Sequence, residues 1–175
     1  YNKDKPQKFC VNFFVLCNNS PGKYFILHCD VYQGKNAENI GIPDEITKLP
    51  TTQKAVVNSI IQSKLGNDPN GFRRLFMDNR YSCASLFVLL REKFDILCAG
   101  TTRMNRVGWP KEKMIMTKSQ ARGSTIRAYD HHNKILCLQW MDNKVVSLTS
   151  SLNISGDTPV NGRSGSNVLA LAVNK

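Results

Sequence analysis

Acidic residues are scarce in this chain. Its 175 residues hold 13 Asp and Glu against 24 Lys and Arg, a formal net charge of +11. No two of its six cysteines (10, 17, 29, 83, 98 and 137) are spaced C-x-x-C, so zinc-ribbon and thiol-redox motifs are not expected. Several cysteines sit in apolar runs such as "FDILCAG" and "KILCLQW", which reads as buried free thiols in a reducing compartment. No apolar run approaches the ~18–20 residues that cross a bilayer, so no membrane association is expected. The opening "YNKDKPQKF" has no signal-peptide apolar region, and position 1 is not Met, so the chain reads as a piece of something longer. There is no G-x-S-x-G, no P-loop and no dinucleotide fingerprint, which leaves little for a small-molecule α/β enzyme. His131-His132 is a turn dipeptide, and adjacent histidines on a turn are more often exposed than ligating. No internal repeat or low-complexity tract is present.

The remaining composition, 41% hydrophobic and 21% charged, is that of a soluble globular protein with a real core. The basic excess is local. Arg103, Arg106, Lys111, Lys113, Lys118, Arg122 and Arg127 fall in one stretch opposed only by Glu112. Such a stretch favours a polyanionic partner, because phosphates release counterions when lysine and arginine replace them. On charge alone, a solvated basic face accounts for it equally well.

Periodicity predicts a strand from Phe9 to Cys17, with Phe9, Val11, Phe13 and Val15 on one side and Cys10, Phe14 and Leu16 on the other. "NNSPGK" reads as a turn, and Tyr24 to Tyr32 as a second strand with Phe25, Leu27, Cys29 and Val31 on its apolar face, giving an antiparallel hairpin. A polar loop follows to Pro50. A helix capped by Thr51 or Thr52 is then marked by Val56, Val57, Ile60, Ile61 and Leu65. After the break "GNDPNG" come a strand from Phe72 to Met77, a helix from Ser82 to Phe94 and the strand "DILCAG", an order that predicts a parallel crossover. "STIRAYD", "KILCLQWMD" and "KVVSLTS" read as an antiparallel meander. "NISGDTPVNGRSGS" reads as flexible loop, and Val168 to Val173 as a strand without context.

One carboxylate stands out. The run "FRRLFMDNRYSCASLFVLL" ends a strand on Asp78 and turns directly into an amphipathic helix. A carboxylate at a strand end needs a partner, whether cation, metal or solvent, and in α/β sheets functional groups gather at the carboxyl ends of strands. Asp78 is therefore a candidate metal ligand. The competing reading is that Asp78-Asn79 caps the following helix, with Ser82 as a rival cap. Two-metal nucleotide chemistry needs several carboxylates around ions some ~4 Å apart. Asp30, Asp130, Asp142 and Asp157 are in contexts that do not force any of them beside Asp78.

The segment "LFMDNRYSCASLFVLLREKFDILCAGTTRMNRVGWP" resembles the PiggyBac transposase family. The family pattern is a strand ending in Asp-Asn, an aromatic-containing turn, a helix, then GT-x-R-x-N-R and Pro-Lys. This chain supplies Asp78-Asn79, Tyr81, Gly100-Thr101-Thr102-Arg103-Met104-Asn105-Arg106 and Pro110-Lys111. Upstream, "NKDKPQKFCVNFFVLCNNSPGKYFILHCDVYQGK" is similar to the family's NKP-x-K segment and hairpin. Downstream, "ARGSTIRAY…ILCLQWMDNKVVSLTSS" is similar to its RG turn and W-x-D-x-K strand. The match covers most of residues 1–155. It departs from the family in the hairpin turn, which reads Asn18-Asn19 where an aspartate is common, and in a shortened Tyr81-Ser82 after Asp-Asn.

The resemblance implies an α/β fold: an incomplete RNase H-like core, hairpin plus strand-helix-strand, over about 1–116. A small antiparallel β meander over about 117–155 and a flexible segment 156–175 would follow it. It implies DNA as partner, a nuclear location and Mg²⁺ as cofactor, and it allows a homodimer. Three family aspartates hold two Mg²⁺ ions for DNA cleavage and strand transfer. Only the middle one maps here, onto Asp78, as catalytic and metal-binding residue. The first belongs upstream of the NKP segment and the third beyond Lys175, so the chain is expected to be inactive as it stands. In an RNase H-like sheet the strand bearing the first aspartate lies between the hairpin and the strand ending at Asp78, so open strand edges are expected on either side of it. Arg103 and Arg106 are the implied phosphate contacts, with Lys111, Lys113 and Arg122 next. A pairing of Arg103 with a local carboxylate such as Asp95 is the bland alternative for that residue. The alternative for the whole chain is a domesticated basic module that binds DNA or a protein without catalysis.

Overall fold

The computed structural model describes residues 11–20, 22–32, 46, 49–65, 73–152, 154–161 and 167–173. The expected strand start at Phe9 and Cys10, most of the loop before Pro50 and the break at 66–72 lie outside these residues. The chain divides into two compact units, Tyr1–Gly66 and Asn67–Lys175.

In the first unit, β1 (Phe13–Ser20) and β2 (Lys23–Val31) pair antiparallel, with Phe13 opposite Val31, Phe14 opposite Asp30 and Leu16 opposite His28. The strands close tightly at Ser20 and Lys23, where Gly22 takes φ of +76°, a left-handed conformation that suits glycine. Helix α1 (Thr51–Gln62) packs on the hairpin and buries Val57, Ser59 and Ile60. Ser59 is tolerated there because its hydroxyl donates to Ala55 O at 2.8 Å, one turn back. The helix starts after Pro50 with no side-chain cap bond, so neither Thr51 nor Thr52 caps it. Pro50 O accepts the Gln53 and Lys54 amides instead.

The alternation in the hairpin was legible, but the face it covers was not. Phe14 is buried and Leu16, His28 and Asp30 are half-buried, while Phe13 (54% exposed), Val15, Phe25, Cys29 and Val31 are exposed. Of the expected apolar face of β2, Phe25, Cys29 and Val31 are open and Leu27 is half-buried. His28 Nε2 is buried with no hydrogen-bond partner among the described residues.

In the second unit, β3 (Arg73–Met77), α2 (Ala84–Phe94) and β4 (Ile96–Thr101) form a β-α-β unit in which β3 and β4 are parallel, Met77 opposite Gly100. The meander follows as β5 (Thr125–Asp130), β6 (Ile135–Met141) and β7 (Val145–Ser150). All five strands join in one mixed sheet of order β3-β4-β7-β6-β5, because β7 pairs antiparallel with β4. Leu86, Phe87 and Leu90 of α2 are fully buried, each stabilising by about 1.5–3 kcal/mol relative to an exposed position. The helix packs on β4, where Ile96 and Cys98 are buried, and Ile135, Cys137 and Leu138 of β6 are buried too. Ser151 stitches the far end, its Oγ accepting the Cys98 N–H at 2.8 Å. The outer edge of β3 carries no strand among the described residues, and Phe76 on it is 67% exposed.

Farther on, β8 (Ile154–Asn161) and β9 (Asn167–Val173) pair antiparallel. Turn-rich composition had suggested a loop for the first of these. A partner strand, invisible to local composition, accounts for the difference.

Candidate functional site

Because β3 and β4 are parallel, their carboxyl ends lie on the same edge of the sheet. Asp78 follows β3 directly, and the basic loop from Arg103 follows β4. The antiparallel register brings the β6–β7 turn and the start of β5 to this edge as well, with Asp142 and Arg122. The opposite edge receives Asp95, His131, His132 and Asp130. Asp95 and Arg103 flank opposite ends of β4, roughly 20 Å apart at the rise of a strand, so they do not pair.

The Asp78 side chain is exposed. It does not cap α2, whose N-cap residue is Cys83 with no side-chain cap bond. Nor does Ser82. Asp78 Oδ1 instead accepts the Arg80 N–H at 2.8 Å, a local turn of the kind aspartate favours. Its main-chain carbonyl is held from three directions, by Tyr81 N at 3.0 Å, Ser82 N at 3.1 Å and Ser82 Oγ at 3.0 Å. The same hydroxyl lies 3.3 Å from Met77 O. Ser82 is wholly buried, so its short polar side chain is fixed by these carbonyls. Beneath the turn runs Gly100, where a Cβ would collide with Ser82 Oγ and Met77 O. The glycine is what lets the turn rest on β4.

From the side, Arg106 reaches across 26 or 27 residues of sequence. Its Nη2 donates to Arg80 O at 2.7 Å and Asn79 O at 3.1 Å. Arg103 is exposed, as are Lys111 and Lys113. Trp109 is buried and anchors the loop, its main-chain amide donating to Arg106 O at 3.2 Å. Arg122 pairs with Asp142 at 2.6 Å, both largely exposed, with side-chain exposures of 74% and 43%. The structure therefore gathers Asp78, Arg103, Arg106 and Arg122 on one edge, with Lys111 and Lys113 exposed on the connection that crosses it.

Other carboxylates are engaged elsewhere. Asp130 accepts the amides of His132 and Asn133 and the Asn133 side chain at 2.7 Å, and these hydrogen bonds, the Asn133 side chain first, hold its carboxyl below the usual range. Asp142 shares the edge with Asp78. The β6–β7 turn that carries it is two to three strand positions from β3, about 10–14 Å at ordinary spacing, and its carboxylate is engaged by Arg122. Among the described residues no three His, Cys, Asp or Glu side chains cluster as a metal site. Asp78 fits one ligand of a hard divalent ion, with an exposed carboxylate and only one oxygen bound. It does not make a two-metal site by itself. The thiols play no part here. Cys98 is buried, which pushes its pKa up to about 12, and burial raises Cys137 too. Cys17 and Cys29, by contrast with the expectation of buried thiols, are exposed on the hairpin.

Sequence reasoning named Asp78 and the basic residues as candidates but missed Ser82 as a brace, Gly100 as the floor and Arg106 as a contact of the turn. The adjacent "DNRYS" and "GTTR" segments were visible; their juxtaposition needs the parallel pairing.

Comparison with known proteins follows the same lines. A family model described as Transposase IS4 matches residues 1–171. A solved structure, the cryo-EM structure of piggyBac transposase synaptic complex with hairpin DNA, is similar with a TM-score of 0.67 at 18% identity. That match covers 94% of this chain and 31% of the transposase, so the chain spans about a third of that protein's length. No curated protein matches the chain.

Proposed function

From the premise that this chain belongs to the family described as Transposase IS4, with a piggyBac-like transposase domain, we propose that it is the part of a DNA transposase core that supplies the middle metal-binding aspartate and a DNA-facing basic loop. One observation carries the reading: an exposed, turn-braced carboxylate and an exposed basic loop leave the same sheet edge side by side. Asp78 would hold Mg²⁺, which in such enzymes activates the attacking oxygen and stabilises the leaving one. The residues of this chain supply the rest. Ser82 and Gly100 fix the turn that carries the carboxylate, and Arg103, Lys111, Lys113 and Arg122 meet the phosphates. In this reading the two-metal chemistry takes carboxylates besides Asp78, and the chain alone would bind nuclear DNA without cutting it.

A salt titration of duplex binding by fluorescence anisotropy tests this. Four phosphate contacts give a slope of log K against log salt of about −3.6, a loss of roughly 10²-fold between 50 and 200 mM. Arg103→Ala reduces the slope by about 0.9, and Mg²⁺ yields no nicking. Binding that is absent at 50 mM salt, or insensitive to salt, overturns the proposal.

A further inference from the structure

We infer that Arg106 is a positioning residue for Asp78, acting through the peptide group that joins Asn79 to Arg80. The inference rests on the reading of Asp78 as a metal ligand. Its geometry stands independently of any DNA contact.

The carbonyl of Asn79 and the amide of Arg80 belong to one planar peptide group, with oxygen and hydrogen on opposite sides. Arg106 Nη2 donates to that carbonyl at 3.1 Å, and the amide donates to Asp78 Oδ1 at 2.8 Å. The guanidinium therefore holds one end of the peptide while the other end holds the carboxylate. A cationic donor on the carbonyl also polarises the peptide and strengthens its N–H as a donor. The second bond, 2.7 Å to Arg80 O, fixes the next peptide in the turn. With one carboxylate oxygen tied back in this way, the other is presented to solvent in a defined direction.

Arg106 is itself braced. It is half-buried, and its Nε is shielded from solvent with no hydrogen-bond partner among the described residues, so the stem of the side chain packs against protein before the guanidinium reaches the turn. Its own amide donates to Arg103 O at 3.0 Å, and its carbonyl accepts from the buried Trp109. Loop and turn lock each other: the basic loop carries the arginine, and the arginine orients the acid. Arg103, three residues earlier, is exposed and keeps its charge available. Two arginines in one short motif thus take different tasks.

The test uses the full chain with Arg106→Met and Arg106→Lys, followed by NMR. A hydrogen bond to a carboxylate gives the Arg80 amide proton a distinctive downfield shift. The inference expects that signal to move upfield by several tenths of a ppm and to exchange roughly tenfold faster in R106M. R106K, which restores a cationic donor, recovers most of the shift. Amides of β6 should be unaffected, which separates positioning from general destabilisation. In the same samples the salt slope of DNA binding should equal that of the parent, whereas a phosphate contact would lower it by about 0.9. An Arg80 amide unmoved in R106M overturns the inference, and a fallen slope with an unmoved amide assigns Arg106 to the DNA. If the parent chain binds no DNA, the proposed function fails while the amide signal still decides the role of Arg106.

Discussion

Replacing Gly100 with alanine tests the account of how the site is built. A methyl group at this position meets two atoms at once, the buried Ser82 hydroxyl and the main-chain carbonyl of Met77. The hydroxyl can rotate away only by giving up its bonds to Asp78 O and Met77 O, which costs about 1 kcal/mol. The carbonyl cannot rotate at all. Met77 and Gly100 are register partners of the parallel pair, so relief requires β3 to shift on β4. Overpacking of this kind costs about 1–3 kcal/mol, for a total of about 2–4 kcal/mol. In urea, with m of about 2 kcal/mol/M, the midpoint falls by roughly 1–2 M at unchanged m. A Ser82→Ala change in both backgrounds completes the cycle. It destabilises the parent by about 1 kcal/mol and the G100A variant by less, or not at all, because it removes one of the two collisions. A G100A protein within about 0.5 kcal/mol of the parent would refute the reasoning.

Other consequences follow from the same geometry. Phe87→Ala, in the fully buried face of α2, should cost about 3–5 kcal/mol in urea unfolding, whereas Phe76→Ser on the exposed edge strand should stay within about 0.5 kcal/mol. Arg122→Ala breaks an ion pair that is largely exposed, so stability should change by at most about 1 kcal/mol while the salt slope of DNA binding falls. Cys98 should resist a thiol reagent at pH 8 until the protein unfolds, with Cys17 and Cys29 reacting at once. The raised pKa of Cys98 also sets a sign: the folded chain keeps the proton that the unfolded chain loses above about 9, so stability should decline as pH rises from about 9 toward about 12.

The legible part of this protein was local. Strands β3 to β7 and helix α2 follow from apolar spacing, and the parallel crossover follows from their order. Local signals failed where a distant partner decides. Alternation in the hairpin shows that Phe13 and Val15 share a face, yet only packing against α1 decides that the face with Phe14 and Leu16 is covered. "NISGDTPV" carries turn residues, and a strand some ten residues later overrides them. Asp78 offered two local readings, helix cap or strand-end ligand; it makes no cap bond, and the Arg80 amide binds one of its two oxygens. The contacts of Arg106 bridge more than two dozen residues and have no periodic trace in the sequence. What was legible of the site was which residue types lie in its segments; what was not was which basic residue binds the turn and which are exposed.

The central claim is that Asp78 presents a carboxylate oxygen to a divalent cation. Substoichiometric Mn²⁺ added to the ¹⁵N-labelled chain tests it most directly, since the ion broadens only nearby amides. The account predicts selective broadening at residues 78–82 and 100–102, competed by Mg²⁺. It also predicts that broadening is lost in Asp78→Asn, a variant that keeps an oxygen for the Arg80 N–H and so keeps its fold. Uniform broadening, or broadening at this edge that survives in Asp78→Asn, would contradict it.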